Sequence, residues 1–78
     1  MLTIENTTVI ANIDLRAGMY VQDDIMCRID AVVYADETGV CLSVEDGNGY
    51  YYTITRRFEG FTRTFLWSAE DWAAYRAL

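Results

Sequence analysis

The chain has 78 residues, 53% of them hydrophobic, and its 12 acidic and 6 basic residues give a net charge of −6 at pH 7. This length predicts one compact domain over residues 1–78, and the hydrophobic fraction excludes a disordered acidic tail, which lacks the apolar residues to offset chain entropy. The charge excludes a general duplex-DNA-binding protein, because Lys and Arg contacts to phosphates supply most non-specific affinity, and it favours a basic protein surface as the partner.

Neither a secretory signal nor a membrane span is predicted. The first ten residues contain no positive charge ahead of an apolar stretch, and the longest apolar run covers only residues 31–35. With two cysteines and no such signal, we expect free thiols in a reducing cytoplasm and no membrane partner.

Short strands are predicted at the beginning of the chain. We expect one near residues 8–13 and a second over residues 19–21, directly after Gly18. Residues 22–24 then form a turn that leads into the next strand.

The strongest local pattern predicts a β-hairpin. Apolar side chains alternate along residues 25–35, so that one apolar face is formed by Ile25, Cys27, Ile29, Ala31 and Val33. Residues 36–39 supply the turn, in which Gly39 is free to take a positive φ. The alternation then resumes at Val40, Leu42 and Val44.

The second half of the chain predicts two more strands. A turn at residues 46–49 leads to a strand over residues 50–55, rich in aromatic and β-branched residues. Residues 61–67 should return as a further strand.

A helix is predicted at the carboxy terminus, over about residues 69–77. Ser68 suits the N-cap position, and Asp71 completes a Ser-x-x-Asp capping arrangement. We expect Trp72 and Tyr75 to pack the helix onto the sheet.

Together these elements predict a mainly β (α+β) fold, an antiparallel meander of five or six short strands with one C-terminal helix. A curled sheet and a small barrel both remain open. Residues 15–21, followed by a strand, a hairpin and Glu45-Asp46-Gly47, are similar in spacing to SH3-like barrels, which implies the barrel alternative.

No disulfide, catalytic residue, metal or cofactor is predicted. If the hairpin pairs Tyr34 with Cys41, Cys27 lies seven residues further along its strand, about 23 Å away at ~3.3 Å per residue and on the opposite face. The chain contains no histidine. It therefore lacks the usual activator of a cysteine nucleophile and a common ligand of transition metals.

Acidic residues cluster in the first half of the chain, where residues 1–49 hold nine of the twelve acids against two arginines. Carboxylates at turns are usually only solvated, but a collective acidic face would compete for the Arg and Lys side chains that hold phosphates. The expected partner-binding residues are Asp23, Asp24, Asp30, Asp36, Glu37, Glu45 and Asp46.

The second half offers an alternative binding surface for a peptide or a single-stranded nucleic acid. Tyrosine and arginine side chains stack on bases and neutralise phosphates, and the candidates are Tyr51, Arg56, Arg57 and Arg63. The competing interpretation is that the aromatics fill the core and the arginines pair with acids of neighbouring strands.

In size, acidity and absence of catalytic residue types, the whole chain resembles small phage-encoded inhibitors of bacterial defence, anti-CRISPR proteins in particular. Those proteins share no common sequence signature, so the resemblance assigns no individual residues. It implies a non-enzymatic inhibitor in the cytoplasm of a bacterial host, with a nucleic-acid-binding defence complex as its partner. So small a core also allows a homodimer.

Overall fold

The protein folds as a six-stranded antiparallel sheet with one α-helix at its carboxy-terminal end. The computed structural model describes residues 6–78, so residues 1–5 of the expected domain lie outside the described part. The elements are β1 (Thr7–Ala11), a 3₁₀ helix (Asn12–Asp14), β2 (Tyr20–Gln22), β3 (Met26–Asp36), β4 (Gly39–Asp46), β5 (Tyr51–Arg56), β6 (Phe61–Phe65) and α1 (Ala69–Arg76). The mainly β fold with a C-terminal helix is confirmed.

The strand order is β1-β6-β2-β3-β4-β5. The meander therefore runs only from β2 to β5, and β6 lies between β1 and β2 instead of beside β5. Pairing with β2 sets Phe65 opposite Tyr20, which brings the following Trp67 and the helix onto an aromatic cluster. Among the described residues the end strands β1 and β5 do not pair. The sheet is thus open, and strand pairing does not close it into the curled or SH3-like barrel form that the sequence allowed.

The β3–β4 hairpin contains two β-bulges, at Asp30 and Val33, where the register with β4 shifts by one residue. Each bulge reverses the face to which the following side chains point. The expected apolar face is therefore wrong beyond Ile29. Val32 packs against the core, whereas Ala31 is exposed and Val33 is 56% exposed.

The main core lies on one face of the sheet. It contains alternate residues of the central strands together with one residue from the loop before β2. Its buried members are Leu15, Val21, Cys27, Ile29, Val40, Leu42, Val44 and Ile54.

Asn12 is a buried polar residue, 3% exposed, that fixes the connection between β5 and β6. Its backbone N–H donates to the carbonyl of Gly60 at 3.0 Å, and its side-chain amide donates to the carbonyl of Arg57 at 2.8 Å. Its side-chain oxygen accepts a hydrogen bond from the hydroxyl of Thr62. A buried amide with these partners avoids the cost of an unpaired polar group.

The helix packs on the opposite face of the sheet through a cluster of aromatic side chains. Tyr20 and Met26 each neighbour a core residue in sequence, so strand alternation turns them away from the main core and towards α1. The buried cluster is formed by Tyr20, Met26, Trp67 and Trp72, with Phe65 and Tyr75 packed against it. The expected packing of Trp72 and Tyr75 on the sheet is confirmed.

The start of the helix has the capping arrangement that the sequence predicts. The Ser68 hydroxyl accepts from the Asp71 N–H at 3.2 Å, and the Asp71 carboxylate accepts from the Ser68 N–H at 2.8 Å. The helix ends at Arg76, one residue before the expected end, with Ala77 as its C-cap.

Glu45 joins the end of the helix to the hairpin. It is 4% exposed, and its Oε1 lies 2.7 Å from Nη2 of Arg28 on β3. Its Oε2 lies 3.4 Å from Nη1 of Arg76 in the last turn of α1. Removal of the charge of such a buried carboxylate would leave its two arginine partners without their counter-ion, which is destabilising.

Glu45→Gln should lower the free energy of unfolding by about 1–3 kcal/mol, because the amide cannot neutralise Arg28 and Arg76. Urea denaturation followed by tryptophan fluorescence measures the change. The control is Glu59→Gln at an exposed position, where the change should stay within about 0.5 kcal/mol. Equal losses in the two variants would show that Glu45 contributes no more than a surface carboxylate.

Candidate functional site

Exposed carboxylates follow β3 from end to end. Asp24 lies in the turn before the strand, Asp30 at its first bulge, Asp36 at its last position and Glu37 in the turn that follows. We call these four residues the β3 carboxylate row. None of them forms an ion pair within residues 6–78. Asp23, next to Asp24, is half-buried.

The row is extended rather than compact. Asp24 and Asp30 are six residues apart, as are Asp30 and Asp36, which corresponds to roughly 20 Å per interval along a strand. The longest dimension of the protein is 38 Å. The turn carboxylates therefore do not gather at one end of the sheet, because β3 holds its two flanking turns apart.

Asp36 also organises the turn between β3 and β4. Its Oδ1 accepts hydrogen bonds from the hydroxyl of Thr38 and from the Thr38 backbone N–H, the latter at 2.8 Å. These two hydrogen bonds favour the ionised carboxylate and lower the pKa of Asp36. This end of the row is thus fixed in position and negatively charged at neutral pH.

Two of the expected partner-binding acids, Glu45 and Asp46, are buried and used within the fold. Glu45 is held by the two arginines described above. Asp46 is 8% exposed, and its Oδ1 accepts from the backbone N–H of Asn48 at 2.8 Å and of Tyr50 at 3.1 Å. Asp46 therefore shapes the β4–β5 turn and does not present its carboxylate to a partner.

The pairing of Arg28 with Glu45 was hidden in the sequence by the β-bulges. A regular hairpin that pairs Tyr34 with Cys41 would set Arg28 opposite Gly47. The two bulges shift the register by two residues, so that Arg28 pairs with Glu45. The sequence did show a lone arginine on β3 and an acidic pair near the end of β4. Because the bulges were not predicted, the register of β3 against β4, and so the pairing of these residues, could not be predicted either.

The alternative Tyr/Arg residues do not share one face. Tyr51 is 60% exposed, but Arg56 lies five positions along β5, so strand alternation points the two side chains to opposite faces. Arg56 is half-buried and donates from Nη2 to the carbonyl of Gln22 at 3.4 Å. Arg57 is exposed beyond the end of β5, and exposed Arg63 lies on β6, separated from β5 by three strands in the sheet order.

The surface hollows are open and of mixed character. One of about 580 Å³ lies between the β3–β4 turn and the β5–β6 connection, lined by Glu37, Thr38, Arg57, Phe58 and Glu59. Another of about 420 Å³ lies beside β6, lined by Val9, Gln22, Phe61, Thr62, Arg63 and Phe65.

Within residues 6–78, no three His, Cys, Asp or Glu side chains are grouped so as to hold a metal ion. No helix in this part of the chain has the length and apolar character needed to cross a membrane.

The two cysteines are free, as the sequence predicts, and lie on opposite faces. Cys41 pairs with Tyr34 across the hairpin and is half-buried. Cys27 is buried in the main core, where its Sγ lies 3.2 Å from Oη of Tyr52. Burial raises the pKa of the Cys27 thiol. The hydrogen bond with Cys27, and then burial, raise the pKa of Tyr52 as well.

Comparisons with protein-family models, with curated proteins and with solved structures find no match to this chain. The geometry of the described residues is therefore the basis on which a function is proposed.

The two thiols should differ in reactivity. In the native protein at neutral pH, we expect iodoacetamide to alkylate Cys41 at least tenfold faster than Cys27, because the Cys27 thiol is buried and kept protonated. Mass spectrometry of Cys27→Ala and Cys41→Ala, each with one remaining thiol, measures the two rates. Comparable rates would contradict the burial of Cys27.

Stability should fall at alkaline pH. Below the ordinary pKa of a thiol, Cys27 is protonated in both the folded and the unfolded chain. At higher pH the unfolded chain ionises first, because the folded-state pKa is raised, so the free energy of unfolding falls until the folded-state thiol also ionises. Urea denaturation between about pH 7 and about pH 9.5 should show a smaller decrease for Cys27→Ala than for the unchanged protein. Identical decreases in the two proteins would show that Cys27 does not contribute to the pH dependence of the free energy of unfolding.

Proposed function

We propose that this protein is a non-enzymatic interaction protein that docks the β3 carboxylate row on a basic, nucleic-acid-binding groove of a partner. The observation that supports the proposal is the row itself. It consists of four exposed carboxylates along one strand and its turns, none of which forms an ion pair among the described residues.

The charge of the row is not cancelled by its own strand. Arg28 is the one basic residue of β3, and its guanidinium is already paired with the buried Glu45 at 2.7 Å. The carboxylates of the row therefore remain available to cations of another molecule. A net charge of −6 also raises the encounter rate with a basic surface, in a salt-dependent manner.

The shape of the row favours a groove over a small basic patch. Carboxylates that recur at intervals of roughly 20 Å would contact a partner at several separated points along its length. Proteins that bind nucleic acid line such a groove with Lys and Arg side chains that hold phosphates. A carboxylate forms the same charge-assisted hydrogen bonds with these side chains as a phosphate oxygen does.

Occupation of such a groove would inhibit the partner by competition with nucleic acid. This is the activity implied by the resemblance to phage-encoded inhibitors of bacterial defence. The proposed partner is accordingly a basic nucleic-acid-binding defence complex in the bacterial cytoplasm.

A pair of charge-matched variants tests the proposal. The row variant combines Asp24→Asn, Asp30→Asn and Glu37→Gln, and the control combines Asp14→Asn, Glu59→Gln and Glu70→Gln at exposed positions outside the row. Both change the net charge from −6 to −3 (−6 + 3 = −3). In pull-downs from bacterial lysate quantified by mass spectrometry, the row variant should recover at least tenfold less of the nucleic-acid-binding proteins than the control does. Added single-stranded nucleic acid should displace these proteins from the unchanged protein.

The comparison separates the row from bulk charge. Equal losses in both variants would mean that net charge alone attracts the partners. If the row variant recovered as much of these proteins as the unchanged protein does, the β3 carboxylate row would not be part of the interface. Repeating the pull-down at higher salt should weaken recovery by the unchanged protein more than recovery by the row variant, because the latter has fewer ionic contacts to screen.

A further inference from the structure

β5 is an end strand with one free edge. All six of its residues pair with β4, and within residues 6–78 no strand pairs with its other side. In an antiparallel ladder the N–H and C=O groups of alternate residues point to opposite sides, so about half of the backbone groups of β5 face outward. Thr53 and Thr55 are exposed, and so is Tyr51.

The other long free edge, the distal part of β3, is protected against pairing. Beyond Ile29 this strand has no partner on its second side within the described residues, but it carries bulges at Asp30 and Val33 and ends at Asp36. Bulges and charged residues are the features by which proteins prevent edge-to-edge association.

β5 has no bulge, and its one charged residue, Arg56, stands at its last position. Its register with β4 is unbroken over all six residues. Its sequence, Tyr-Tyr-Thr-Ile-Thr-Arg, contains no proline, glycine, lysine or acid and is rich in aromatic and β-branched residues, which favour strands. The other end strand, β1, also has an unbroken register and a free edge within residues 6–78, but it is one residue shorter, so β5 offers the longest regular free edge of the described part.

We propose that β5 pairs antiparallel with β5 of a second copy of this chain, about a two-fold axis at Ile54, so that the sheet continues through both molecules. An axis at Ile54 pairs residues that lie equally far before and after it in the two copies. Thr53 therefore faces Thr55 of the second copy. In the same register Tyr52 faces Arg56 of the second copy, and Tyr51 faces Arg57.

The occupant is a second copy because β5 is complementary to itself. Threonine pairs are favourable cross-strand neighbours, and the exposed Arg57 opposite the exposed Tyr51 gains a cation–π contact. No two like charges face each other in this register. The corresponding pairing of two β3 edges about Val33 would set Asp30 opposite Asp36 of the second copy, and this like-charge contact is destabilising.

The dimer leaves both carboxylate rows accessible. The strand order across the interface would be β3-β4-β5 followed by the same strands of the second copy in reverse. The two β3 strands are then five spacings apart, or about 24 Å. The inference does not depend on the proposed function, since the purified protein alone is enough to test it.

The test compares three double variants by sedimentation equilibrium, over a concentration series from about 10 μM to about 1 mM, the range expected for so small an interface. Thr53→Lys with Thr55→Lys sets ammonium groups against each other across the interface and should weaken self-association at least tenfold, or about 1.4 kcal/mol. Thr53→Lys with Thr55→Glu sets opposite charges against each other and should retain the dimer. Ala73→Lys with Ala74→Lys adds the same two charges at exposed positions of the helix and should leave self-association unchanged.

Hydrogen exchange locates the interface independently. Amide protection of a peptide covering residues 51–56 should rise with concentration in the unchanged protein and not in the double-lysine variant of β5. Near-ultraviolet circular dichroism of the aromatic cluster checks that each variant is folded.

Four outcomes would overturn the proposal. They are a monomer at every concentration, assembly beyond the dimer, equal weakening by the helix and β5 lysine pairs, and concentration-dependent protection confined to strands other than β5. If the double-lysine variant of β5 does not fold, the lysine–glutamate variant decides the question, because loss of its dimer also contradicts the pairing register.

Discussion

The register of β3 against β4 is the constraint on which the rest of the structure depends. Its two β-bulges move Arg28 from a position opposite Gly47 to one opposite Glu45. That shift gives a buried carboxylate its first cation, and Arg76 at the end of the helix supplies the second. The same bulges turn Val32 into the core and leave Ala31 and Val33 exposed. The two bulges thus determine which β3 residues enter the core and bring Arg28 to the carboxylate that also contacts the helix end.

The acids of this chain consequently divide into two groups with different roles. Glu45 and Asp46 lie where the hairpin, the next turn and the helix meet. The Glu45 carboxylate forms ion pairs with arginines, and the Asp46 carboxylate accepts hydrogen bonds from backbone N–H groups. Asp24, Asp30 and Glu37 have no such contacts among the described residues, and Asp36 bonds only within its own turn. The sequence cannot distinguish the groups, since Glu45-Asp46 and Asp36-Glu37 are both acidic pairs next to a glycine-containing turn. What separates them is the packing of a helix from the far end of the chain.

Much of the local structure was accessible from the sequence because local physics determines it. Alternation and turn residues indicated the β3–β4 hairpin with Tyr34 opposite Cys41, and the Ser68–Asp71 capping arrangement lies within one helical turn. The bulges were not accessible, because Ala31, Val32 and Val33 are all apolar and fit either face. The position of β6 was also hidden, since its neighbours β1 and β2 come from the other end of the chain. For the candidate site, sequence reasoning identified the exposed acids on β3 but also included two buried ones. It grouped Tyr51 with Arg56, which points to the opposite face, and with Arg63, which is separated from it by three strands.

The placement of β6 has a consequence for the order in which the molecule assembles. β3, β4 and β5 join through tight turns, so their contacts close short loops at little entropic cost. β1 meets β6 through pairs that are between 50 positions (Ala11 and Phe61) and 58 positions (Thr7 and Phe65) apart. Asn12, beside this junction, finds its hydrogen-bond partners only once the β5–β6 connection has arrived, and until then its amide is better solvated than buried. We therefore expect the β1–β6 pairing to form after the β3–β4–β5 hairpins, which carry the β3 carboxylate row and the free edge of β5.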